Sequence, residues 1–237
     1  MKIINHPSLA ENAYELIKAD IITCKLEPGE QIVQGQLALQ YQIGLTPVRE
    51  ALQRLAQEGF VRPIPRYGYI VSPVTISDVH QIYEARLVVE LATIRLAAQR
   101  GTDEQLAGIL DNSNFTYTYG DRLSYTEFLN YNADFHKKVA LISGNMRLTN
   151  LLSIILEELT RLMHLGLDIQ DRAEDLRAVH ISLAKALIER NTEVAVDISR
   201  KEIEDSRKMV LEAISKHMSR QNPSLFSQPM EIKKSEF

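Results

Sequence analysis

The segment Thr46-Pro47-Val48-Arg49-Glu50-Ala51-Leu52, which continues as QRLAQEGFV through residue 61, decides the fold of the N-terminal third of the chain. Thr46 is predicted to cap a helix, because its hydroxyl can accept an otherwise unpaired backbone N–H. Pro47 suits the first turn, where its missing N–H costs nothing. Arg49 and Gln53 face outward from an apolar stripe formed by Val48, Ala51, Leu52 and Leu55. This layout is typical of a recognition helix, whose first residues reach base edges in the DNA major groove.

The flanking segments complete a winged helix-turn-helix pattern. Apolar residues at spacings of three and four predict helices over residues 8–24 and 34–41. Two short strands are predicted over 60–64 and 69–71, around a turn that ends at Gly68. The wing tip of such a hairpin would present Arg66 and Tyr67 to the DNA backbone or minor groove. Gln34 and Gln36, at the start of the second helix, are candidates for phosphate contacts.

Composition and charge exclude several classes of protein. Hydrophobic residues make up 45% and charged residues 24% of the 237-residue chain, which is typical of a globular protein. We expect a cytoplasmic protein with no membrane segment, because no apolar run is long enough to span a bilayer, no signal peptide is visible and Cys24 is the only cysteine. Residues 1–75 contain 7 basic and 7 acidic side chains. DNA contact must therefore come from local clustering and from dimerisation; the clustered arginines are Arg49, Arg54, Arg62 and Arg66.

The chain is predicted to be mainly α-helical, with an N-terminal winged helix-turn-helix followed by an all-α helical-bundle effector domain. The first domain covers residues 1–75, the second covers 76–218, and residues 219–237 lack periodicity and are predicted to be a flexible tail. The predicted helices of the second domain are 77–100, 103–115, 124–143, 146–166, 171–190 and 192–217.

Several motifs together resemble a known family of regulators. The GntR-type winged helix is matched by Leu26-Glu27-Pro28-Gly29-Glu30, Thr46 through Leu52, Leu55, Glu58-Gly59-Phe60-Val61 and Gly68. The effector domain of its FadR subfamily, called FCD, is matched by Tyr83-Glu84-Ala85-Arg86, Glu90, Leu96-Ala97-Ala98, Phe135-His136, Ser143-Gly144-Asn145 and His180. The resemblance implies a homodimeric bacterial transcription factor that binds double-stranded operator DNA and a small carboxylate effector, often beside a divalent metal. We expect a ligand-responsive repressor.

The recognition segment departs from the family at one point. The family usually has Ser-Arg where this chain has Gly44-Leu45, and leucine cannot donate a hydrogen bond to guanine or phosphate. DNA binding should therefore depend more on Arg49, Thr46, Gln53 and the wing. We expect an operator different from that of close relatives.

The resemblance also implies a metal site. Asn132 and His136 are four residues apart and share one helix face, while His180 and Glu202 lie on later helices. Mapped on the family's Asp and three His, Asn132 replaces the Asp and Glu202 replaces the last His. Two imidazoles, an amide oxygen and a carboxylate suit Zn, Ni or Mn. The alternative is a polar pocket without metal, in which the two histidines bind an organic ligand directly.

Two arginines are candidates for the effector carboxylate. Arg86 is predicted among apolar residues on the first helix of the second domain, where a half-buried arginine needs an anion; Glu90, four residues on, is the alternative partner. Arg161 has a similar setting on a later helix. Two other functions remain open as alternatives, a ligand-independent structural DNA-binding protein and a metal-dependent hydrolase. No nucleophile motif or phosphate loop is present, so we expect no enzyme.

Overall fold

The computed structural model describes residues 8–167 and 171–221. The N-terminal domain has three helices and a small sheet: α1 (Leu9–Ile22), β1 (Gln31–Ile32), α2 (Gln34–Gln40), α3 (Leu45–Gln57), β2 (Val61–Ile64) and β3 (Gly68–Val71). This is the predicted helix, helix, helix, hairpin order with one added strand, β1. The winged helix-turn-helix is confirmed.

The core of this domain forms where α3 packs on α1. The stripe predicted from the sequence is fully buried, with Val48, Leu52 and Leu55 each 0% exposed. It meets Ile17 and Ile21 of α1 in one hydrophobic cluster. Burying a side chain of this size contributes about 1.5–3 kcal/mol. The packing therefore fixes which face of α3 remains available to DNA.

The recognition helix starts two residues earlier than predicted. Gly44 is the N-cap and has an extended conformation. Because glycine has no side chain, no side-chain hydrogen bond caps the helix. Thr46 therefore lies inside the first turn, and its prediction as the cap is wrong. Pro47 remains in that turn, where its missing N–H has no cost.

The sheet is antiparallel with strand order β1-β3-β2. β1 was not predicted because it is only two residues long, and it pairs Gln31 with Ile70 of β3. The wing turns through two residues with positive φ, Arg66 at 70° and Gly68 at 91°. The positive φ turns the chain back sharply and leaves the tip of the wing projecting from the domain.

The second domain is entirely helical within the described residues. Its helices are α4 (Ile76–Arg100), α5 (Asp103–Ala107), α6 (Arg122–Ile142), α7 (Met146–Leu167), α8 (Ala173–Ile188) and α9 (Thr192–Gln221). The prediction of one helix over residues 103–115 is wrong. Helix α5 stops at Ala107, and a short 3-10 turn follows at Leu110–Asn112. Leaving the helix lets Phe115 enter the core, where its ring contacts Phe128 and Phe135.

Helix α4 is the structural link between the domains. It follows β3 after four residues, and its capping box joins Thr75 and Asp78. It then packs against α6, α7 and α9 through the centre of the bundle. None of the helices in 8–167 and 171–221 combines the length and hydropathy that a bilayer crossing needs. Helix α9 continues to Gln221, three residues into the predicted tail, and residues 222–237 lie outside the described part.

Candidate functional sites

The N-terminal end of α3 carries an exposed polar surface. Thr46, Arg49 and Gln53 are all exposed and Pro47 is partly so. The Nε of Arg49 donates a hydrogen bond to Oε1 of Gln34 at 3.1 Å. This contact uses Nε only, and a guanidinium can bind the O6 and N7 of guanine through its remaining amino groups. Gln34 was predicted to touch phosphate, and here it also lies against the arginine.

The wing adds a second exposed surface. Tyr67 is 68% exposed at the tip, and Arg66 beside it is also exposed. Gln31 donates from Nε2 to the carbonyl oxygen of Tyr67 at 3.1 Å, which ties the tip to β1. Gln36 is exposed on α2. All eight side chains predicted to contact DNA are thus at least partly accessible on the winged-helix domain.

Arg54 does not belong to this surface, although it was grouped with the DNA-contacting arginines. Its guanidinium lies 2.9 Å from Glu11 and 3.2 Å from Glu58, and it covers the ring of Tyr14 at 3.7 Å. These contacts join α3 to α1 and neutralise the charge. Arg54 is therefore a structural residue of the domain.

The second site is a buried centre formed by Arg86, Glu90, His136, His180 and Glu202. Helix α4 provides the first two residues, and α6, α8 and α9 provide one each. All five side chains are at most 6% exposed. Charged groups are rarely buried together without a function or a full set of partners.

Three of these residues form a triangle of possible metal ligands. His136 Nε2 lies 3.2 Å from Glu202 Oε1, His180 Nε2 lies 3.5 Å from the same oxygen, and the two Nε2 atoms are 3.4 Å apart. A tetrahedral ion with bonds of 2.0–2.1 Å requires ligand atoms roughly 3.4 Å apart. The triangle thus has the size that a small dication needs, and the side chains present fit the metal.

Two buried polar atoms at this centre have no hydrogen-bond partner, Nδ1 of His180 and Oε2 of Glu202. The imidazole of His180 lies between two aromatic rings, 4.9 Å from that of Phe115 and 4.6 Å from that of Phe135. An unsatisfied buried acceptor is costly. The free oxygen of Glu202 therefore favours a bound cation or hydrogen-bond donor.

Glu90 orients the first histidine. Its Oε1 lies 2.8 Å from Nδ1 of His136, and Ser199 donates to the same oxygen at 3.2 Å. A carboxylate behind a histidine fixes the tautomer and directs Nε2 toward a metal. Glu90 was predicted only as a partner of Arg86, and its contact with His136 was missed, because no signal in the sequence joins these two helices.

Arg86 is fully paired within the protein. Its Nε donates to Oε2 of Glu90 at 2.7 Å, and its Nη2 lies 3.4 Å from Glu202 and 3.3 Å from Nε2 of His136. The Glu90 alternative considered for this arginine is therefore the contact observed. Arg86 still borders the triangle, where one of its amino groups faces two of the three ligand atoms.

The charges of the centre balance. Burial alone would lower the pKa of His136, but Glu90 and Glu202 outweigh it and raise that pKa to about 9. Burial opposes ionisation of Glu90, yet Arg86 and His136 bring its pKa down to about 2. Burial lowers the pKa of His180. With His180 neutral, two cations therefore face two carboxylates.

The remaining predicted ligands lie apart from the triangle. Asn132 is 8% exposed and precedes His136 by one turn of α6, and within the described residues no hydrogen bond joins it to the buried centre. Arg161 lies on α7, where its Nη2 donates to the carbonyl oxygen of Ser72 at 2.5 Å. It therefore faces the boundary between the domains and not the centre that contains Arg86.

Comparison with known proteins identifies both halves of the chain. Residues 81–205 match the model of the FCD domain, and residues 9–71 match that of the bacterial regulatory proteins of the gntR family. The chain is 30% identical over 138 residues to the Nta operon transcriptional regulator of Aminobacter aminovorans, an alignment that covers 58% of this chain and 65% of that protein. It is 22% identical to the transcriptional repressor RspR of Escherichia coli K12, over 76% of this chain and 79% of that one.

A solved structure shares the fold. The GntR transcriptional regulator from Rhodococcus sp. RHA1 superposes with a TM-score of 0.69 and 22% identity, over 87% of this chain and 99% of that one. The winged helix and the helical bundle thus occur together in a related fold.

Proposed function

The chain belongs to the gntR family of bacterial regulatory proteins and carries an FCD domain, and we propose that its buried centre senses a small organic acid and controls operator binding by the winged helix. As a member of this family it is a transcriptional regulator and not an enzyme. Because RspR, one of its relatives, is a repressor, we expect this chain to repress as well. A regulator of chromosomal genes acts in the cytoplasm, where we place it.

Operator recognition rests on the exposed end of α3. Arg49 would contact guanine, with Gln34 holding its Nε at 3.1 Å. Thr46, Pro47, Gln53 and Gln36 would approach the adjacent bases and phosphates, and Arg66 and Tyr67 would approach the neighbouring groove. Leu45, which is 40% exposed at the start of the helix, adds an apolar contact where relatives usually have an arginine. An apolar side chain favours the methyl group of thymine over guanine.

We propose a homodimer that presents two winged helices to a palindromic site. The packed helices α4 and α7 both carry exposed apolar side chains, with Val88 73%, Leu151 50% and Ile154 57% exposed. Together they would offer an apolar surface to a second copy of the chain. Dimerisation would also double the number of arginines presented to DNA, which matters because residues 1–75 carry no net charge.

The effector site would combine the metal triangle with Arg86. His136, His180 and Glu202 would hold a Zn, Ni or Mn ion, with Asn132 close enough in sequence to join through a small rotation of α6. When bound, the ion would supply positive charge and open coordination positions for carboxylate oxygens. Arg86 borders the same space, so that its amino groups can hold the second oxygen of the carboxylate. With a dication bound and both histidines neutral, the ion and Arg86 outweigh the carboxylates of Glu90 and Glu202 by one positive charge. This excess favours an anionic effector.

Helix α4 gives a route from this centre to DNA. It carries Arg86 and Glu90 at mid-length and begins four residues after the wing strand β3. An effector that draws Arg86 away from Glu90 would bias the position of α4. The two winged helices of the dimer would then be favoured in a different spacing, which is a population shift between two arrangements.

The observation that carries this proposal is the buried charged triangle inside a helical domain attached to a winged helix. A selection of binding sites from random duplex DNA would define the operator, followed by mobility-shift titration with a panel of small mono- and dicarboxylates, with and without Zn²⁺. We expect a selected site distinct from that of relatives with arginine at position 45, and at least one acid that changes affinity only with metal present. An unchanged affinity across the panel would support the ligand-independent alternative.

A further inference from the structure

A second cavity lies between the two domains. This interdomain cleft has a volume of about 650 Å³, within the range of small-molecule sites. Its apolar walls are Phe60 from the winged helix, Val74 from the linker, and Ile82 and Leu162 from helices α4 and α7. The buried centre contributes none of the residues that line it. A ligand in the cleft would therefore be independent of the metal triangle.

Arg161 lines this cleft, and no carboxylate within residues 8–167 and 171–221 pairs with it. It is only 7% exposed, and the one hydrogen bond that its side chain makes to those residues goes to the carbonyl oxygen of Ser72. Its Nε is buried without a partner, and burial lowers its pKa. A buried guanidinium without a carboxylate is unfavourable unless an anion completes the site.

Ser72 adds a second unsatisfied group at the same place. Its side chain is 6% exposed and its Oγ has no hydrogen-bond partner. The Ser72 hydroxyl and the Arg161 Nε both belong to residues that line the cleft, and neither has an acceptor among the described residues. Two such donors can form a site for a small anion. Native proteins rarely leave two such groups unpaired side by side.

The rim of the cleft has the opposite charge. Asp78 and Glu158 are exposed there. Burial raises the pKa of Glu158, and the negative charge of the neighbouring Asp78 raises it further. Glu158 precedes Arg161 by three residues on α7, yet no ion pair within 4.0 Å joins them. The lining also includes Lys18, which pairs with Glu58 and Glu157, and the exposed Arg62. Asp78 and Glu158 therefore supply negative charge in the same cleft as the positive Arg161.

We propose that this cleft binds a small zwitterion of the α-amino-acid class. Its carboxylate would accept hydrogen bonds from Arg161 and Ser72, its ammonium would lie between Asp78 and Glu158, and an apolar side chain would contact Phe60 and Leu162. The rim would repel a dicarboxylate, and a simple amine would leave the guanidinium unpaired. The charge arrangement thus selects a molecule that carries both groups.

Occupancy of the cleft would affect the relation between the domains. Ser72 belongs to the linker between β3 and α4, and Arg161 already holds that linker through its carbonyl oxygen. A carboxylate on Arg161 would fasten the winged helix to α7. This consequence for DNA binding rests on the proposed function, whereas binding of the zwitterion does not.

Thermal unfolding with matched ligands tests the binding. The full-length protein would be melted with each standard amino acid, and each apolar amino acid that shifts the midpoint would be compared with its deaminated acid and its decarboxylated amine. We expect at least one apolar amino acid to raise the melting temperature, while both derivatives have no effect. A panel in which no amino acid shifts the melting temperature would overturn the proposal.

Variants then locate the site by calorimetry with the amino acid found. Arg161→Gln should weaken binding about tenfold or more, because it removes charge-assisted hydrogen bonds, and Glu158→Gln should weaken it less. Ser72→Ala is the sharper test, since it removes a hydroxyl with no partner and should leave the unliganded protein as stable as before while reducing affinity. Asp197→Asn, at an exposed residue of α9 that does not line the cleft, should bind normally. Unchanged affinity in Ser72→Ala and Glu158→Gln would place the ligand elsewhere and reject the cleft, even if Arg161→Gln failed to fold.

Discussion

The exposed end of α3 and the buried centre of the helical domain use arginine in opposite ways. Arg49 is solvent-exposed and held by one neutral partner, Gln34, at 3.1 Å. Arg86 is 3% exposed and contacts two carboxylates and a histidine. An arginine that must meet DNA keeps its charge available, whereas an arginine in a low-dielectric interior must be neutralised by its neighbours. Loss of the first should therefore affect binding, and loss of partners of the second should affect folding.

The largest expected effect follows from removing the carboxylate between Arg86 and His136. Glu90→Ala should lower the free energy of unfolding by about 3–5 kcal/mol, because it leaves buried cations without their partner. Urea denaturation of the purified protein would measure this. Glu84→Ala is the matched control, since Glu84 lies on the same helix but is exposed, and it should change stability by about 0.5 kcal/mol or less. Equal stability of the two variants would contradict the account of the buried centre.

Metal binding is the next test. Saturating Zn²⁺, at about a hundredfold excess over its Kd, should stabilise the wild-type protein by about 2.7 kcal/mol. His180→Ala should lose most of this gain, because it removes one corner of the triangle. His80→Ala, at an exposed histidine of α4, should retain it. Thermal melts of untagged protein with and without a chelator would show whether the two variants differ.

The DNA-reading surface should respond without loss of stability. Arg49→Ala should weaken operator binding by about 1–3 kcal/mol per half-site, the range of a bidentate arginine–guanine contact. Arg54→Ala, five residues along the same helix, should instead lower the melting temperature, because Glu11, Glu58 and Tyr14 lose their partner. Fluorescence anisotropy with the selected operator, run beside a melting curve, separates the two effects. A large loss of affinity in Arg54→Ala alone would reverse the assignment.

The pH dependence of metal binding sharpens the contrast further. His136 has a raised pKa of about 9 in the metal-free protein, so a metal must displace its proton. The stabilisation by Zn²⁺ should therefore increase from pH 6 to pH 9, by up to about 1.4 kcal/mol per pH unit. The metal-free protein should show the opposite trend, since the contribution of protonated His136 is complete below its unfolded pKa and is lost as the pH rises through 9. Melting temperatures would be measured across this pH range with and without metal. A stabilisation by Zn²⁺ that does not change with pH would show that His136 is not a ligand.

The sequence predicts the local patterns well and the long-range contacts less well. The stripe of Val48, Leu52 and Leu55 identified α3 because burial in a helix repeats at a fixed spacing. Helix α5 ended early because Phe115 gains more by entering the core than by continuing the helix. That outcome depends on Phe128 and Phe135, which are close only in the folded chain.

The candidate sites show the same division. His136, His180 and Glu202 could be named from a resemblance, and the structure brings these three together. Glu90 and His136 lie on different helices and are 46 residues apart in the chain. No spacing rule predicts a contact between such a pair. Arg161 looked equivalent to Arg86, since both lie among apolar residues. Only the packing of the helices showed that Arg161 faces the linker between the domains.

The hydrogen bond between Gln34 and Arg49 has a consequence for how operator affinity can evolve. A change of one base in a glutamine codon produces glutamate. In this position glutamate would turn the neutral contact into an ion pair, which DNA would have to break before the arginine could reach a guanine. We therefore expect a single nucleotide change in the gene to lower operator affinity without changing the bases that the protein prefers.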